Sequence, residues 1–387
     1  GYVSYAVCSP SRAGLITGKY QNRFGYTRNI LLAPKDSTMG LPLTEQTLPD
    51  VLRKANYKTK AIGKWHLGAH ESLVPERRGF DEFFGFLIGG HRYFPGDLTI
   101  NDLTEARRQM DGYVTRIYDN GKRIDTKKYL TEELSDNAVQ FIEDNSDNPF
   151  FIYLSYNAPH TPLQATERDL ERNKHIEVEK RRTYAAMVSS MDDGIGLILD
   201  KLEEKKITDN TIVIFFSDNG GVEWYNFSDN GVLRGIKGDF FEGGIRVPFT
   251  MQWPKKIKPG ITYDKPIIAL DVFATVASAA SAEKYIKNDI DGVDLLPYLT
   301  GDKFGLPHEY LYWQNPDKDI DVVRDERYKY LRIKNDEYIF DLKNDISEET
   351  NIINSSKPIY DRLKSQFKEW EKGMIDPVFL DLGSGKE

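Results

Sequence analysis

Three short strand-like runs, far apart in the chain and each opening into a loop that carries polar side chains, constrain the fold of this sequence more than any other feature. They are YKTKAIG at residues 57–63, FFIYLSY at 150–156 and TIVIFFS at 211–217. Each is long enough for a strand and too short for a typical buried helix. The second and third carry almost no polar residue, the pattern of strands covered on both faces of a parallel sheet. Helical patterns lie between them. TLPDVLRKAN, 47–56, starts with Thr47 and Pro49 and sets Leu48, Val51 and Leu52 on one side. TEELSDNAVQFIEDN, 131–145, has an acidic first turn. Tyr184, Met187, Val188, Met191, Ile195, Ile198, Leu199 and Leu202 recur at helical spacing, and their methionines read as core. Alternating strands and helices over 300 residues predict an α/β fold with a mostly parallel, doubly wound sheet.

From about residue 308 the pattern changes. EYLYWQ, VVRDERYKYLRIK and EYIFDL read as strands joined by short turns, and DRLKSQFKEWEKGM as an amphipathic helix. The chain therefore divides into residues 1–305 and a small antiparallel sheet with one helix at 306–387. No Pro/Ser-rich linker separates the two parts, so they are expected to pack together.

Open α/β sheets hold their ligands outside the C-terminal ends of the strands. Here those ends carry chemistry: Lys64, Trp65 and His66 in GKWHLG, His160 between two prolines in NAPHTP, and Asp218 and Asn219 in SDNGG. Asp218 and Asn219 offer hard oxygens for a cation, although a DNG sequence is also an ordinary turn. The loop at 230–248 adds Arg234 and Lys237. CSPSRAGLITG, 8–18, holds the single cysteine of the chain. Ser11 is placed to cap a helix through Ala13 to Thr17, whose free N–H groups favour an anion beside Cys8, and Arg12 adds a forked cation. The alternative for Cys8 is a buried structural thiol ahead of a helix. Two further stretches, RGFDEFFGF at 78–86 and GGHRYFPGD at 89–97, read as loops, the second offering His91 and Arg92 to a substrate. The topology brings Cys8, Arg12, Lys64, His66, His160, Asp218, Asn219 and Lys237 to one pocket: cations for an anion, histidines for proton transfer, oxygens for a metal and one nucleophile.

A formal net charge of -8 argues against nucleic acid or an anionic membrane as the main partner, because either needs a basic face. A local cluster of cations can still take a small anion. One cysteine excludes an intramolecular disulfide framework, and no apolar run reaches the length of a membrane span. The opening GYVSYAV has no initiator methionine and shows no signal peptide, and it reads as the interior of a longer sequence.

CSPSR followed by AGLITG, NYKTKAIGKWHLG, APHTP, SDNGG and GIKGDFFEGGIRVP, in this order, resembles the type I sulfatases, the formylglycine-dependent members of the alkaline phosphatase superfamily. The resemblance covers about residues 1 to 300, and the small C-terminal sheet is similar to the family's second subdomain. It implies an alkaline phosphatase-like fold and hydrolysis of a sulfate ester, here of a sulfated carbohydrate. Cys8 would be converted by a formylglycine-generating maturation enzyme, and its hydrated form would attack sulfur. By the same resemblance His160, helped by Lys237, would protonate the leaving oxygen, and His66 would regenerate the aldehyde. Arg12 would steady the formylglycine, Lys64 would hold sulfate oxygens, and Asp218 and Asn219 would bind a divalent cation, calcium in this family. Arg92, His91 and Arg234 are the expected contacts to the rest of the substrate. Periplasmic or secreted localisation follows from the same analogy. The resemblance departs in one place. The family carries adjacent aspartates at the end of a first strand, tens of residues before the cysteine, whereas seven residues precede Cys8 here. Residues 1–305 are therefore expected to lack that strand, to expose unpaired sheet edges and to bind metal weakly. The alternatives are a phosphonate monoester or phosphodiester hydrolase of the same superfamily and an inactive glycan-binding homologue.

Overall fold

The computed structural model describes residues 1–379, and residues 380–387, counted above with the C-terminal part, lie outside the described residues. The helices are α1 (Cys8–Thr17), α2 (Leu48–Lys54), α3 (Leu130–Asn145), α4 (Glu167–Arg172), α5 (Glu179–Glu204), α6 (Glu223–Asn226), α7 (Glu242–Ile245), α8 (Asp271–Ala279), α9 (Leu296–Thr300) and α10 (Lys357–Glu371). The strands are β1 (Lys58–Lys64), β2 (Glu82–Phe86), β3 (Ile117–Asp119), β4 (Lys122–Ile124), β5 (Phe150–Ser155), β6 (Val213–Phe216), β7 (Phe249–Gln252), β8 (Leu311–Asn315), β9 (Ile320–Arg324), β10 (Tyr328–Ile333) and β11 (Asp336–Asp341).

The main sheet has the order β4-β3-β2-β1-β5. Its parallel part is β2, β1 and β5, and the β3/β4 hairpin continues it antiparallel. One helix layer joins α1 and α2 to α8, and the other joins α3 and α4 to α5, so the sheet is covered on both faces. Thr47 starts α2 as predicted: its side chain accepts the Asp50 N–H, and the Asp50 carboxylate accepts the Thr47 N–H at 3.1 Å. Two expectations change. RGFDEFFGF is not a loop throughout, because residues 82–86 form β2 with Phe83, Phe84 and Phe86 buried, a placement that aromatic residues favour. Helix α1 begins at Cys8 with Val7 as its cap, three residues before Ser11. Pro10 falls in the first turn, where a missing N–H costs no intrahelical bond.

The second and third apolar runs also differ from expectation. Among the described residues β5 has one neighbour, β1, and β6 pairs with β7 alone, in a separate antiparallel two-stranded sheet. β5 and β6 face the same cavity of about 1510 Å³, whose other walls include Leu15 and Val276 of α1 and α8 and Met191 and Ile195 of α5. Along this opening most of β5 is half-buried, Phe215 is 41% exposed, and Met191 is half-buried although Met187 is in the core. The sheet stops where those side chains would have been covered.

The C-terminal sheet has the order β11-β10-β9-β8. On one face Val323, Tyr330 and Ile339 pack against Leu363 and Phe367 of α10. On the other, Trp313, Val322, Leu331 and Phe340 share a core with Tyr2, Val3 and Tyr5. The Trp313 indole N–H donates to the Val3 carbonyl at 2.7 Å. Lys329 is fully buried between Glu242 and Glu348, at 3.0 and 2.8 Å.

Candidate active site

The strand ends converge on Arg12. Its Nη1 donates to the carbonyl of Lys64, the last residue of β1, at 2.9 Å, to the Tyr153 hydroxyl at 3.2 Å and to Ser155 Oγ at the end of β5. Its Nε and Nη2 both donate to Asp218 Oδ2, just beyond β6, at 3.0 and 2.7 Å. The rigid fork of a guanidinium suits such a junction, because every N–H has a fixed direction. The Arg12 guanidinium, with Lys64 and Lys237, holds the Asp218 carboxyl far below the ordinary range against the opposing effect of burial.

Cys8 sits in the first turn of α1, 3% exposed. Lys237 Nζ donates to its Sγ at 3.0 Å, and Asn219 Oδ1 lies 3.3 Å from the same atom. Burial pushes the Cys8 thiol up, but Lys237 and Lys64 outweigh it and bring it down to about 6. Lys64 is itself lowered to about 8, by burial and by Arg12. Its ammonium has no hydrogen bond or ion pair among the described residues, though it borders the cavity, so its donors are open to a ligand. Arg12, Lys64 and Lys237 face one carboxylate, Asp218, leaving an excess of positive charge around Cys8.

The two histidines differ in how they are held. The His160 Nδ1–H donates to the Thr161 carbonyl at 2.7 Å, which leaves Nε2 to the cavity side. Burial, then Lys64 and Lys237, lower His160 to about 4. His66 has a left-handed backbone, φ 57°, and is 4% exposed. Burial and the neighbouring cations depress it well below the ordinary value, and its Nδ1 has no partner among the described residues. Ser9 Oγ fixes the turn by donating to the His66 carbonyl at 2.6 Å. Gly89 packs so closely that a Cβ there would lie 2.9 Å from the imidazole.

The sequence profile of the Sulfatase family matches residues 1–282. The chain belongs to the sulfatase family. The profile for the C-terminal region of N-sulphoglucosamine sulphohydrolase matches residues 237–373 of this sulfatase-family chain. Among curated relatives, the uncharacterized sulfatase YdeN of Escherichia coli is 33% identical over 87% of this chain and 62% of its own length. Human N-acetylgalactosamine-6-sulfatase is 33% identical over 77% of this chain and 58% of its own. The chain thus spans less than two thirds of the length of these relatives. The crystal structure of Ps i-CgsB in complex with k-i-k-neocarrahexaose superposes with a TM-score of 0.89 at 33% identity, over 98% of this chain and 85% of that one.

Not every expected residue reaches this pocket. His91 is fully buried, its Nδ1 and Nε2 lie 2.9 and 2.8 Å from the carbonyls of Arg92 and Thr115, and its ring packs on Phe86, so it has no face for a substrate. Arg234 turns away from the cavity: its Nη1 donates to the Glu348 carbonyl at 2.7 Å and its guanidinium covers Phe241, which ties its loop to the C-terminal sheet. Arg92 does border the cavity, exposed and 3.8 Å from Asp97. Three residues with no marking sequence pattern join the site. Tyr153 and Ser155 steer Arg12, and Tyr113 borders the cavity near enough to Cys8 and Lys237 to feel both charges. At Gly220 the SDNGG turn packs directly on backbone, and a Cβ there would lie 1.8 Å from the Gly243 carbonyl oxygen.

The donors expected to take a cation do not make a cation site by themselves. Calcium takes six to eight oxygens. Asp218 is committed to Arg12 and Asn219 Oδ1 to Cys8, and among the described residues no group of three or more His, Cys, Asp or Glu is arranged to hold a metal. A divalent cation does not fit this set of residues.

Proposed function

We propose that this chain carries the anion-binding and proton-transfer groups of a sulfatase acting on a sulfated carbohydrate. The observation that supports it most is the cation cluster on a buried cysteine: Lys237 3.0 Å from Cys8 Sγ, Lys64 open to the cavity, and Arg12 clamped between three strand ends. Ester sulfate is an anion whose charge shifts toward its oxygens and leaving group during hydrolysis, and fixed cations in a buried pocket stabilise that shift. Conversion of Cys8 to formylglycine by a maturation enzyme would supply a hydrated aldehyde as the nucleophile. Lys64 and Lys237 bind and orient the sulfate oxygens. His160, pinned through Nδ1, presents Nε2 to hold the proton the leaving alcohol needs; an entering anion offsets Lys64 and Lys237 and raises its proton affinity. His66 is the base on the opposite task, with Arg12 keeping the Cys8 turn in place. The names of relatives support a glycan substrate, and Arg92 at the rim is the expected contact to it. By the same kinship the protein is exported; no helix among the described residues is long and apolar enough to cross a membrane.

Co-expression with a formylglycine-generating enzyme, followed by mass analysis of Cys8 and sulfate release from a panel of sulfated sugars, tests this reading. Release that disappears in Cys8→Ala is the expected result. Modified protein hydrolysing matched phosphate or phosphonate esters in preference to sulfate esters would overturn it. The short oxygen set around Asp218 favours one second reading, glycan binding without turnover, for which binding persists and no ester is cleaved.

We infer further that the domain comprising residues 1–305 is one sheet interrupted by a gap one strand wide. β5 and β6 both end at Arg12, so they run in the same direction; their edges face one cavity, and helices wall it on both sides, the surroundings of a central strand. An extended segment outside residues 1–379, parallel to both edges, fits it. Hydrogen exchange on a longer polypeptide checks this: protection of both β5 and β6 amides relative to the 387-residue chain is expected, and unchanged exchange argues against it.

A further inference from the structure

Helix α6 is a single turn directly after SDNGG, tied down around its backbone while two of its rings stay free. The Asn230 side chain accepts the Gly221 N–H at 3.0 Å and donates to the carbonyls of Gly221 and Gly235 at 3.2 and 3.1 Å. The Asn230 N–H donates to Glu223 Oε1 at 2.8 Å. From α5, Arg181 donates to the Phe227 carbonyl at 2.7 Å and Lys180 lies over the Phe227 ring. The turn is thus anchored from both ends.

Trp224 is nevertheless 72% exposed and Tyr225 55%. Trp65, Trp253 and Trp313 are buried, and Trp370 stacks on Tyr312 in the C-terminal part. Holding a large aromatic pair out in water on an immobilised turn gains the fold nothing by burial, which marks the pair as a contact surface. The two rings are 5.5 Å apart and tilted by 55°, so neither consumes the other's face. They are also continuous with the sulfate-binding groups. Tyr225 borders the same cavity as Arg12, Asp218 and Lys237, and the Lys237 N–H donates to the Gly221 carbonyl at 3.1 Å. Glu223 and Asp229 flank the turn and offset Arg181 and Lys180, which touch it from α5, so no excess of positive charge marks it for a second sulfate.

We propose that Trp224 and Tyr225 form a stacking subsite for an uncharged sugar ring next to the ring whose sulfate enters the cation cluster. This rests on the sulfated-carbohydrate reading above and sharpens it: the preferred ligand is an oligosaccharide, not a sulfated monosaccharide or a small aryl ester. The C–H face of a pyranose packs on the indole while its hydroxyls stay in water, and the turn is already rigid, so little ordering is lost on binding.

Tryptophan emission reads this directly, because Trp224 is the most exposed of the five indoles. Inorganic sulfate, galactose 6-sulfate, and sulfated tetrasaccharides from carrageenan and from chondroitin sulfate are titrated into the unmodified-cysteine protein, which does not turn over. At least one tetrasaccharide is expected to bind roughly three- to tenfold tighter than the monosaccharide, with a blue shift and protection from acrylamide quenching. Trp224→Ala should lose the gain and the shift while keeping its affinity for inorganic sulfate. Sulfate binding with no gain from any tetrasaccharide, or a gain that survives Trp224→Ala, overturns the subsite alone. Equal loss for sulfate and tetrasaccharide in Trp224→Ala overturns it as well, by showing a general disturbance of the site. A parent protein that does not bind sulfate overturns the anion-pocket reading and this one with it.

Discussion

Lys237→Met isolates the electrostatics of the cation cluster in one titration. Burial alone pushes the Cys8 thiol up, and it is the ammonium 3.0 Å from Sγ, followed by Lys64, that brings it down to about 6. Methionine keeps much of the length of lysine and removes the charge. The thiol is then expected to rise toward the ordinary value near 8.5, which if reached in full is worth ~3 kcal/mol. At pH 7 the thiolate fraction falls from about 90% toward about 3%. Because the chain has a single cysteine, ultraviolet thiolate absorbance reports Cys8 alone, and intact mass verifies that it is unmodified. The sign carries over to stability. An acidic group with a depressed folded pKa stabilises the fold above its unfolded pKa and loses that stabilisation as pH falls through the folded one. The parent should therefore lose up to about 3 kcal/mol between roughly pH 8.5 and pH 6 that the variant never had. A parent thiol titrating near its ordinary value, or a variant titrating with the parent, would refute the reasoning.

Three other outcomes are expected. His160, lowered to about 4 by burial, Lys64 and Lys237, should take up a proton when sulfate binds, so sulfate affinity should rise as the pH falls toward 4; calorimetry in buffers of different ionisation enthalpy checks this, and binding without proton uptake contradicts it. Lys329→Met removes the one buried cation that Glu242 and Glu348 share, leaving Glu242 to Tyr2 and Arg246 and Glu348 to a backbone N–H, and should cost about 3 kcal/mol in urea unfolding, whereas a parental midpoint would mean the lysine is not held as described. Millimolar calcium should leave the melting temperature of the 387-residue chain unchanged, since Asp218 and Asn219 are already committed, and a clear rise would show that further oxygens reach the cation.

β1, β5 and β6 were legible as strands because each run is bounded by turn residues, whereas β2, the third parallel strand, read as a loop and β6 pairs antiparallel; the site was legible because strand ends share one edge of such a sheet. Cys8, Arg12, Lys64, Asp218, Asn219 and Lys237 meet for that reason alone. What escaped depended on partners distant in sequence. His91 looks like a loop ligand until the Thr115 carbonyl, on another loop, closes over its ring. Arg234 sits in a basic glycine-rich loop, yet its partner is the carbonyl of Glu348 in the C-terminal part. Tyr153 and Ser155 belong to an apolar run in which hydroxyls pass as filler, and only the arrival of Arg12 gives them work. The start of α1 was misplaced because Pro10 marks a boundary in an extended chain and equally suits a first helical turn. The half-buried face of β5 is a fifth case, since an apolar run records what a strand is built to touch and not whether it is touched.

Arg12 is more than a charge beside a cysteine. One side chain reaches the last residue of β1, the last residue of β5 and the second residue after β6, and the last two stand on opposite banks of the open cavity. Its length therefore acts as a gauge block, setting how far apart the two sheets stand at the end where chemistry would occur. Lysine at this position would preserve the charge and lose the calibration, because a single flexible ammonium cannot span three carriers at once.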